Sequence, residues 1–395
     1  MSDLSLQSLQ NLQLPVSSYF DEALYQREME VIFKNGPRYV GHSLSVPQVG
    51  DYHALPQERG GRALVRTAPN KVELISNVCR HRQAIMLKGR GSLHSAGGAA
   101  GSSIGSIVCP LHRWTYSGNG TLLGAPHFEK SPCLDLQNYP IQEWNGLLFE
   151  QNQPNQPNQP NGRNVASDLA GMNHHAALNF EGMVLDKVLM HECNYNWKTF
   201  IEVYLEDYHV APFHPGLGNF VTCDDLSWQF AEHYSVQSVG VASRLARADA
   251  SAAGSPIYQR WHNALLNYRN GEAPTQGAIW LTYYPHIMVE WYPHVLTIST
   301  LFPMGVNKTM NMVEFYYPEE IHAFEREFVE AQQAAYHETC IEDDEIGERM
   351  DAGRAALLAR GDNEVGPYHS PMEDGMPHFH QWYRGQLGLS SKTDI

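Results

Sequence analysis

The chain has 395 residues, with 27 Lys and Arg against 43 Asp and Glu, a formal net charge of −16. That length implies two or three domains, and the negative balance excludes nucleic acid and an anionic membrane surface as natural partners. No apolar run of about 18 residues occurs, the N-terminus MSDLSLQSLQNLQLP lacks a signal peptide's basic start and apolar core, and 6 cysteines are too few for a disulfide framework, so a soluble, cytoplasmic protein is expected.

In chain order, residues 1–40 read as an N-terminal segment that packs on the domain rims, with a helix over 21–34 carrying Asp21, Leu24, Met29, Ile32 and Phe33. Residues 41–150 read as an antiparallel all-β domain, because short segments such as 63–66, 72–76 and 147–150 are separated by Gly, Pro and Asn. Two cysteine–histidine pairs stand in it, Cys79-Arg80-His81 and Cys109-Pro110-Leu111-His112. In a Rieske [2Fe-2S] cluster, two thiolates hold one iron and two imidazoles the other, and the order Cys, His, Cys, His lets each loop give one ligand of each type. Structural zinc also accepts two Cys and two His, but its sites usually group like ligands together. The stretch 89–106 between the pairs is rich in Gly, Ser and Ala, an insertion that a surface loop tolerates. His94 within it is read as a solvated loop residue.

Residues 151–175 form a linker that opens on QNQPNQPNQPNG, which has nothing to bury. Residues 176–395 follow as a second domain. A helix is expected over 194–209, strands over 227–236, 278–284, 286–292, 294–302 and 311–317, and a long helix over 318–361, interrupted near Gly347 and lying across the sheet. On the first helix Glu206 and His209 share a face, with Glu202 one turn back, and Pro212 ends the helix so that His214 can approach from a non-helical segment. Two histidines and one carboxylate on one face of Fe(II) leave positions open for dioxygen and substrate. Without the cysteine–histidine pairs, the bland reading of two ordinary histidines in an aromatic loop would stand.

The motifs C-R-H-R and C-P-x-H-x-W-x-Y-x-x-x-G, with N-W-K-x(7)-E-D-Y-H-x(4)-H-P at 196–215, resemble the ring-hydroxylating oxygenase α subunits, the Rieske non-haem iron oxygenases. The resemblance runs from Tyr39 to Tyr383. It implies an α+β fold: an all-β Rieske domain plus a catalytic domain whose antiparallel sheet wraps on a long helix, in the helix-grip, START-like manner. It implies a [2Fe-2S] cluster on Cys79, His81, Cys109 and His112, and mononuclear Fe(II) on His209, His214 and an aspartate of the late helix. Helix phase from Phe328 through Ala331, Ala335, Ile346 and Met350 favours Asp343 for that place, with Asp344 as the alternative. The family's E-D-x(4)-E-x-x-Q-x-G pattern falls on Glu342, Asp343, Glu348, Asp351 and Gly353.

A carboxylate three residues before the first iron histidine has a duty in this family. It bridges an imidazole on the cluster to an imidazole on the iron of the neighbouring subunit, and so implies a homotrimer or a multiple of one. Here it is Glu206 where most members have Asp, which resembles the subgroup acting on quaternary ammonium compounds. Asp207 is the alternative bridge, and is otherwise a solvated or locally hydrogen-bonded residue. The aromatic residues Trp280, Tyr283, Tyr284, Trp291, Tyr292 and Phe302 are candidates for the cavity wall, although alternation sends only half of them inward. Such walls suit an aromatic compound or a quaternary amine, and leave open hydroxylation or demethylation, by a mono- or a dioxygenase. No dinucleotide or flavin motif occurs, so electrons are expected from NAD(P)H through a separate flavin-containing reductase, with or without a ferredoxin. The competing readings are a non-catalytic Rieske electron-transfer protein and a zinc-structured binding module.

Overall fold

The computed structural model describes residues 13–94, 104–151, 163–243, 245 and 254–389. The chain divides into two compact units, one comprising the chain up to Gly36 with Ser167–Ile395, the other Pro37–Ala166. The expected boundary at 40/41 therefore shifts, since Arg38–His42 is already a strand of the smaller unit and pairs with Leu147–Glu150. The linker 151–175 also divides. Its 152–162 portion lies outside the described residues, Gln142 donates to the Arg163 carbonyl in the smaller unit, and Asn173 donates its backbone N–H to Gln229 in the larger one. Among the described residues no helix is long and apolar enough to cross a membrane.

The smaller unit is antiparallel β structure in sheets of three, five and three strands. The expected strands at 63–66 and 72–76 are the hairpin Arg62–Ala68 with Lys71–Ser76. The Gly/Ser/Ala insertion begins as an edge strand, Arg90–Ser92, against Asp51–Ala54, and its 95–103 portion lies outside the described residues. His94 is held by its Nε2 at 2.7 Å from the Val49 carbonyl.

The larger unit is built on a seven-stranded antiparallel sheet in the order Met183–Cys193, Lys308–Pro318, Val295–Gly305, Ile287–Tyr292, Ala278–Tyr283, Tyr234–Val241, Val221–Ala231. The long helix Arg326–Arg360 shares one core with it, in which Phe328, Ala331 and Ala335 meet Val313, Phe315 and Tyr317. Three expectations need correcting. The predicted strand 227–236 crosses a hairpin turn at Glu232 and His233 and belongs to two strands. The break in the long helix falls at Glu325 (φ −114°, ψ 55°), while Gly347 continues it unbroken. A Cβ on Gly347 would lie 2.8 Å from the Tyr195 ring, so this glycine serves close packing, at a helix-propensity cost of about 1 kcal/mol relative to Ala. Third, the helix predicted over 194–209 is Trp197–Tyr204, started by the Asn196 side chain accepting from Lys198 N–H at 2.9 Å. It stops because the Asp207 N–H turns outward to the Met372 carbonyl at 2.9 Å. A separate single turn, Val210–Phe213, follows. Pro212 sits inside that turn, where no intrahelical donor is needed, and does not end it.

The N-terminal segment belongs to the larger unit through a buried carboxylate. Glu28 accepts from Trp197 Nε1 at 2.8 Å and from Lys198 Nζ at 2.7 Å, and both charged side chains are almost wholly buried. Removing one partner of such a pair strands the other charge. Glu28→Ala is expected to lower unfolding stability by about 3–5 kcal/mol, to be read from urea denaturation of the purified protein.

Candidate active site

The two cysteine–histidine loops of the smaller unit are built alike. Cys79 N–H donates to the Ala84 carbonyl (2.9 Å) and Gln83 N–H to the Cys79 carbonyl (3.1 Å); Cys109 does the same with Trp114 (2.8 Å) and Arg113 (3.1 Å). Gln83 and Arg113, at φ 55° and 60°, take the left-handed turn that closes each loop. Both thiols are buried, while His81 is half-buried and His112 exposed. The two imidazoles stand side by side with ring centroids 4.7 Å apart, and His81 stacks on Trp114 at 5.0 Å. His81 Nδ1 is a buried nitrogen with no partner among the described residues, as a metal-ligating nitrogen must be. Burial raises the Cys79 thiol, but the His81 N–H and the Tyr116 hydroxyl, 3.6 Å from the sulfur, outweigh it and hold it below its ordinary value. Paired thiolates with paired imidazoles are the donor set of a Rieske cluster, and a hydrogen bond to a ligand sulfur raises its potential.

In the larger unit, His209 opens the single turn Val210–Phe213, His214 closes it, and the long helix brings Asp343 against both. The His209 and His214 Nε2 atoms are 3.0 Å apart, and Asp343 Oδ1 lies 3.0 Å from the His214 nitrogen and 3.5 Å from that of His209. Ligand atoms about 2.1 Å from one ion and at right angles are separated by about 3 Å, so this spacing fits three adjacent positions of an octahedral ion. The far side of each imidazole is fixed by a carboxylate: His209 Nδ1 is 2.5 Å from Glu206 Oε1, and His214 Nδ1 is 2.7 Å from Glu342 Oε2. That is how metal-ligating histidines are oriented, with the outer nitrogen tied and the inner one aimed at the ion. Burial pushes both imidazoles down, yet Asp343 and these carboxylates carry His209 up to about 10. Burial likewise raises Asp343, and the two histidines outweigh it and hold it at about 2. A cradle that binds protons so strongly binds a dication by displacing them.

The other candidates read from the sequence make different contacts. Asp344 lines the same cavity but is engaged by His191 Nε2 (2.7 Å) and the Tyr195 hydroxyl (3.0 Å) instead of the two triad histidines. Glu202, expected on the face of His209, instead accepts from Arg354 and Tyr19 and contacts His380; burial would raise it, and Arg354 leads in holding it at about 2. Asp207 is not solvated. It is 3% exposed, its Oδ2 is buried without a partner among the described residues, and burial pushes it up to about 7.

A cavity of about 90 Å³ opens beside the triad. Of the six aromatic residues named as wall candidates, Trp280 and Tyr292 line it; Tyr283, Tyr284, Trp291 and Phe302 do not. The alternation of the strands predicts such a split. Tyr204, Tyr258, Trp261, Tyr336 and Glu290 also line it. Glu290 carried a readable signal, as the sole charge in the apolar strand Ile287–Tyr292; the helix residues did not, because their periodicity matched ordinary core.

Residues 38–140 match the Rieske [2Fe-2S] domain, and residues 175–389 match the ring hydroxylating alpha subunit (catalytic domain). The chain is 63% identical, over 94% of its length and 94% of the relative's, to a putrescine 2-hydroxylase of Ralstonia nicotianae. It is 58% identical to one of Bordetella bronchiseptica, over 95% of this chain and 85% of that protein. A crystal structure of a quaternary ammonium Rieske monooxygenase superposes with a TM-score of 0.71 at 20% identity, covering 98% of this chain and 99% of that one. The cluster and mononuclear iron are cofactors of that family, and the chain belongs to it: this protein is a Rieske non-haem iron oxygenase, an α subunit of the ring-hydroxylating type.

Proposed function

We propose that this chain is the terminal oxygenase that hydroxylates a short aliphatic diamine of the putrescine type. The observation that carries the reading is the cavity wall, which among the described residues contains Asp207, Glu290 and several aromatic rings but no lysine or arginine. Such a wall attracts an organic dication and repels an aromatic carboxylate. About 10–15 Å³ holds one water, so the cavity has room for roughly six to nine, the scale of a four-carbon diamine. Similarity to the two putrescine 2-hydroxylases supports a primary diamine over a quaternary amine, since choline and carnitine monooxygenases are only 23–26% identical to this chain.

In this reading Cys79, His81, Cys109 and His112 hold the cluster, and His209, His214 and Asp343 hold the iron. The chemistry supplied at the triad, once iron is bound and electrons arrive, is the activation of dioxygen. Glu206 keeps a proton on His209 Nδ1 and completes the path from a neighbouring subunit's cluster, which makes the working enzyme a homotrimer. The aromatic walls exclude water and seat the hydrocarbon. NAD(P)H electrons arrive through a separate reductase.

Reductase-coupled oxygen consumption tests the assignment, with putrescine, carnitine and benzoate compared side by side. Putrescine is expected to give a product carrying one added oxygen atom by mass spectrometry. Turnover of carnitine with none of putrescine would move the chain to the quaternary-ammonium reading. Cys79→Ser and Cys109→Ser are each expected to remove the cluster's visible absorbance and acid-labile sulfide, because a hydroxyl does not replace a thiolate on iron.

A further inference from the structure

Four side chains stand in one row across the sheet beneath the cavity. Gln237 pairs with Trp280, Trp280 with Glu290, and Glu290 with Thr297 on successive strands, so all four project from the same face. Gln237, Trp280 and Glu290 line the cavity. Strands about 4.8 Å apart put Gln237 and Glu290 roughly 10 Å apart at the backbone.

Glu290 is 2% exposed. Its Oε1 accepts from the Tyr336 hydroxyl at 2.9 Å, and the groups that act on it most strongly, Tyr336, Thr297, Asp343 and Tyr292, include no cation. Burial pushes its carboxyl up to about 7. A carboxylate in such a place is costly without a positive partner. One further acceptor in the same wall is unsatisfied, for Gln237 Oε1 is buried without a hydrogen-bond partner among the described residues. The rings around them are fixed: Trp280 Nε1 donates to the Tyr292 hydroxyl at 3.0 Å, and Trp261 meets the Tyr292 ring edge-on at 5.9 Å.

A carboxylate without a cationic partner among the described residues, an orphaned acceptor and rigid ring faces together describe a receptor for a cation that carries its own N–H donors. We propose that Glu290 seats one primary ammonium head of the substrate and sets the enzyme's preference for a diamine over a trimethylated amine. The inference rests on the diamine reading of the cavity. A primary ammonium offers three donors to this wall. A trimethylammonium offers none, and would leave the Gln237 oxygen buried and unpaired. Glu290 is thus a specificity-determining residue on the substrate side of the cavity, separate from the triad and from the carboxylates that orient its histidines.

The test uses the holoenzyme with both metal centres loaded, and reads binding as well as turnover. Titration calorimetry of the resting enzyme with putrescine, without reductant, is compared for wild type and Glu290→Gln. Affinity is expected to fall about 10- to 100-fold, the usual worth of a hydrogen bond to a charged group. KM should rise by a similar factor with kcat changed far less, and the preference for putrescine over choline should narrow. Tyr336→Phe, which keeps the ring and removes the hydroxyl that holds and stabilises the Glu290 carboxylate, should weaken binding by a smaller factor, and unchanged affinity there overturns the inference if Glu290→Gln proves unstable on thermal melting. Equal putrescine affinity in wild type and in a folded Glu290→Gln overturns the inference and leaves the diamine reading standing. A wild type that binds no putrescine overturns both.

Discussion

Asp343→Ala is expected to empty the mononuclear site and abolish coupled turnover while the visible spectrum of the cluster persists. Among the described residues, Asp343 Oδ1 is the carboxylate oxygen that reaches within 3.5 Å of the facing nitrogens of both His209 and His214. Its loss leaves two imidazoles to hold an ion that prefers three protein donors. Iron should fall from about three to about two atoms per chain, with acid-labile sulfide unchanged, because the cluster draws its ligands from a different unit. Asp344→Ala is the control. It breaks contacts to His191 and Tyr195, costs some stability, and should leave the iron in place. Iron loss in Asp344→Ala with retention in Asp343→Ala would exchange the two roles.

Glu206→Gln is expected to keep both metal centres and the fold, yet lower turnover by at least about 100-fold, the upper range for losing a carboxylate behind a metal-ligating histidine. Glu206 touches both the His209 backbone N–H, at 3.1 Å, and its Nδ1. Glutamine preserves the volume and an acceptor oxygen and removes only the charge that strengthens the bond to imidazole. In single turnover the cluster should reduce at the normal rate and re-oxidise slowly when substrate and dioxygen are present. Asp207→Asn should leave that re-oxidation rate close to wild type. A block in Asp207→Asn with normal rates in Glu206→Gln would assign the bridge to Asp207.

The cysteine–histidine pairs and the histidines of the triad were legible because their spacing is chemical as well as structural. Cys79 and His81, Cys109 and His112, and Glu206, His209 and His214 each sit within a few residues of one another, and helix phase pointed to Asp343. What escaped was whatever depends on contacts distant in sequence. The helix ending at Tyr204 is cut short by a carbonyl at Met372, which no local pattern reveals. The strand Met183–Cys193 is half-exposed and carries Asp186, Lys187, His191 and Glu192, so its polarity hid its alternation. Gly347 reads as a breaker until the Tyr195 ring is seen against it. Glu342 was placed in the family's pattern without a role, and it is the residue whose carboxylate holds the outer nitrogen of His214.

Glu342 and Asp343 are consecutive on one helix, and that helix is locked at a fixed rotation. Asp351 accepts from the Asn196 N–H at 2.8 Å and from the Thr199 hydroxyl at 2.6 Å, which ties it to the helix that leads into His209. The three donors are thus positioned by tertiary contacts, and a nitrogen–oxygen cradle of this kind selects by shape and charge and not by element. Nitrogen–oxygen sites of this kind bind Co²⁺, Ni²⁺ and Cu²⁺ more tightly than Fe²⁺. Loading with iron therefore depends on metal availability as well as on the site, and exposure to competing transition metals is expected to yield a folded, cluster-bearing and inert protein.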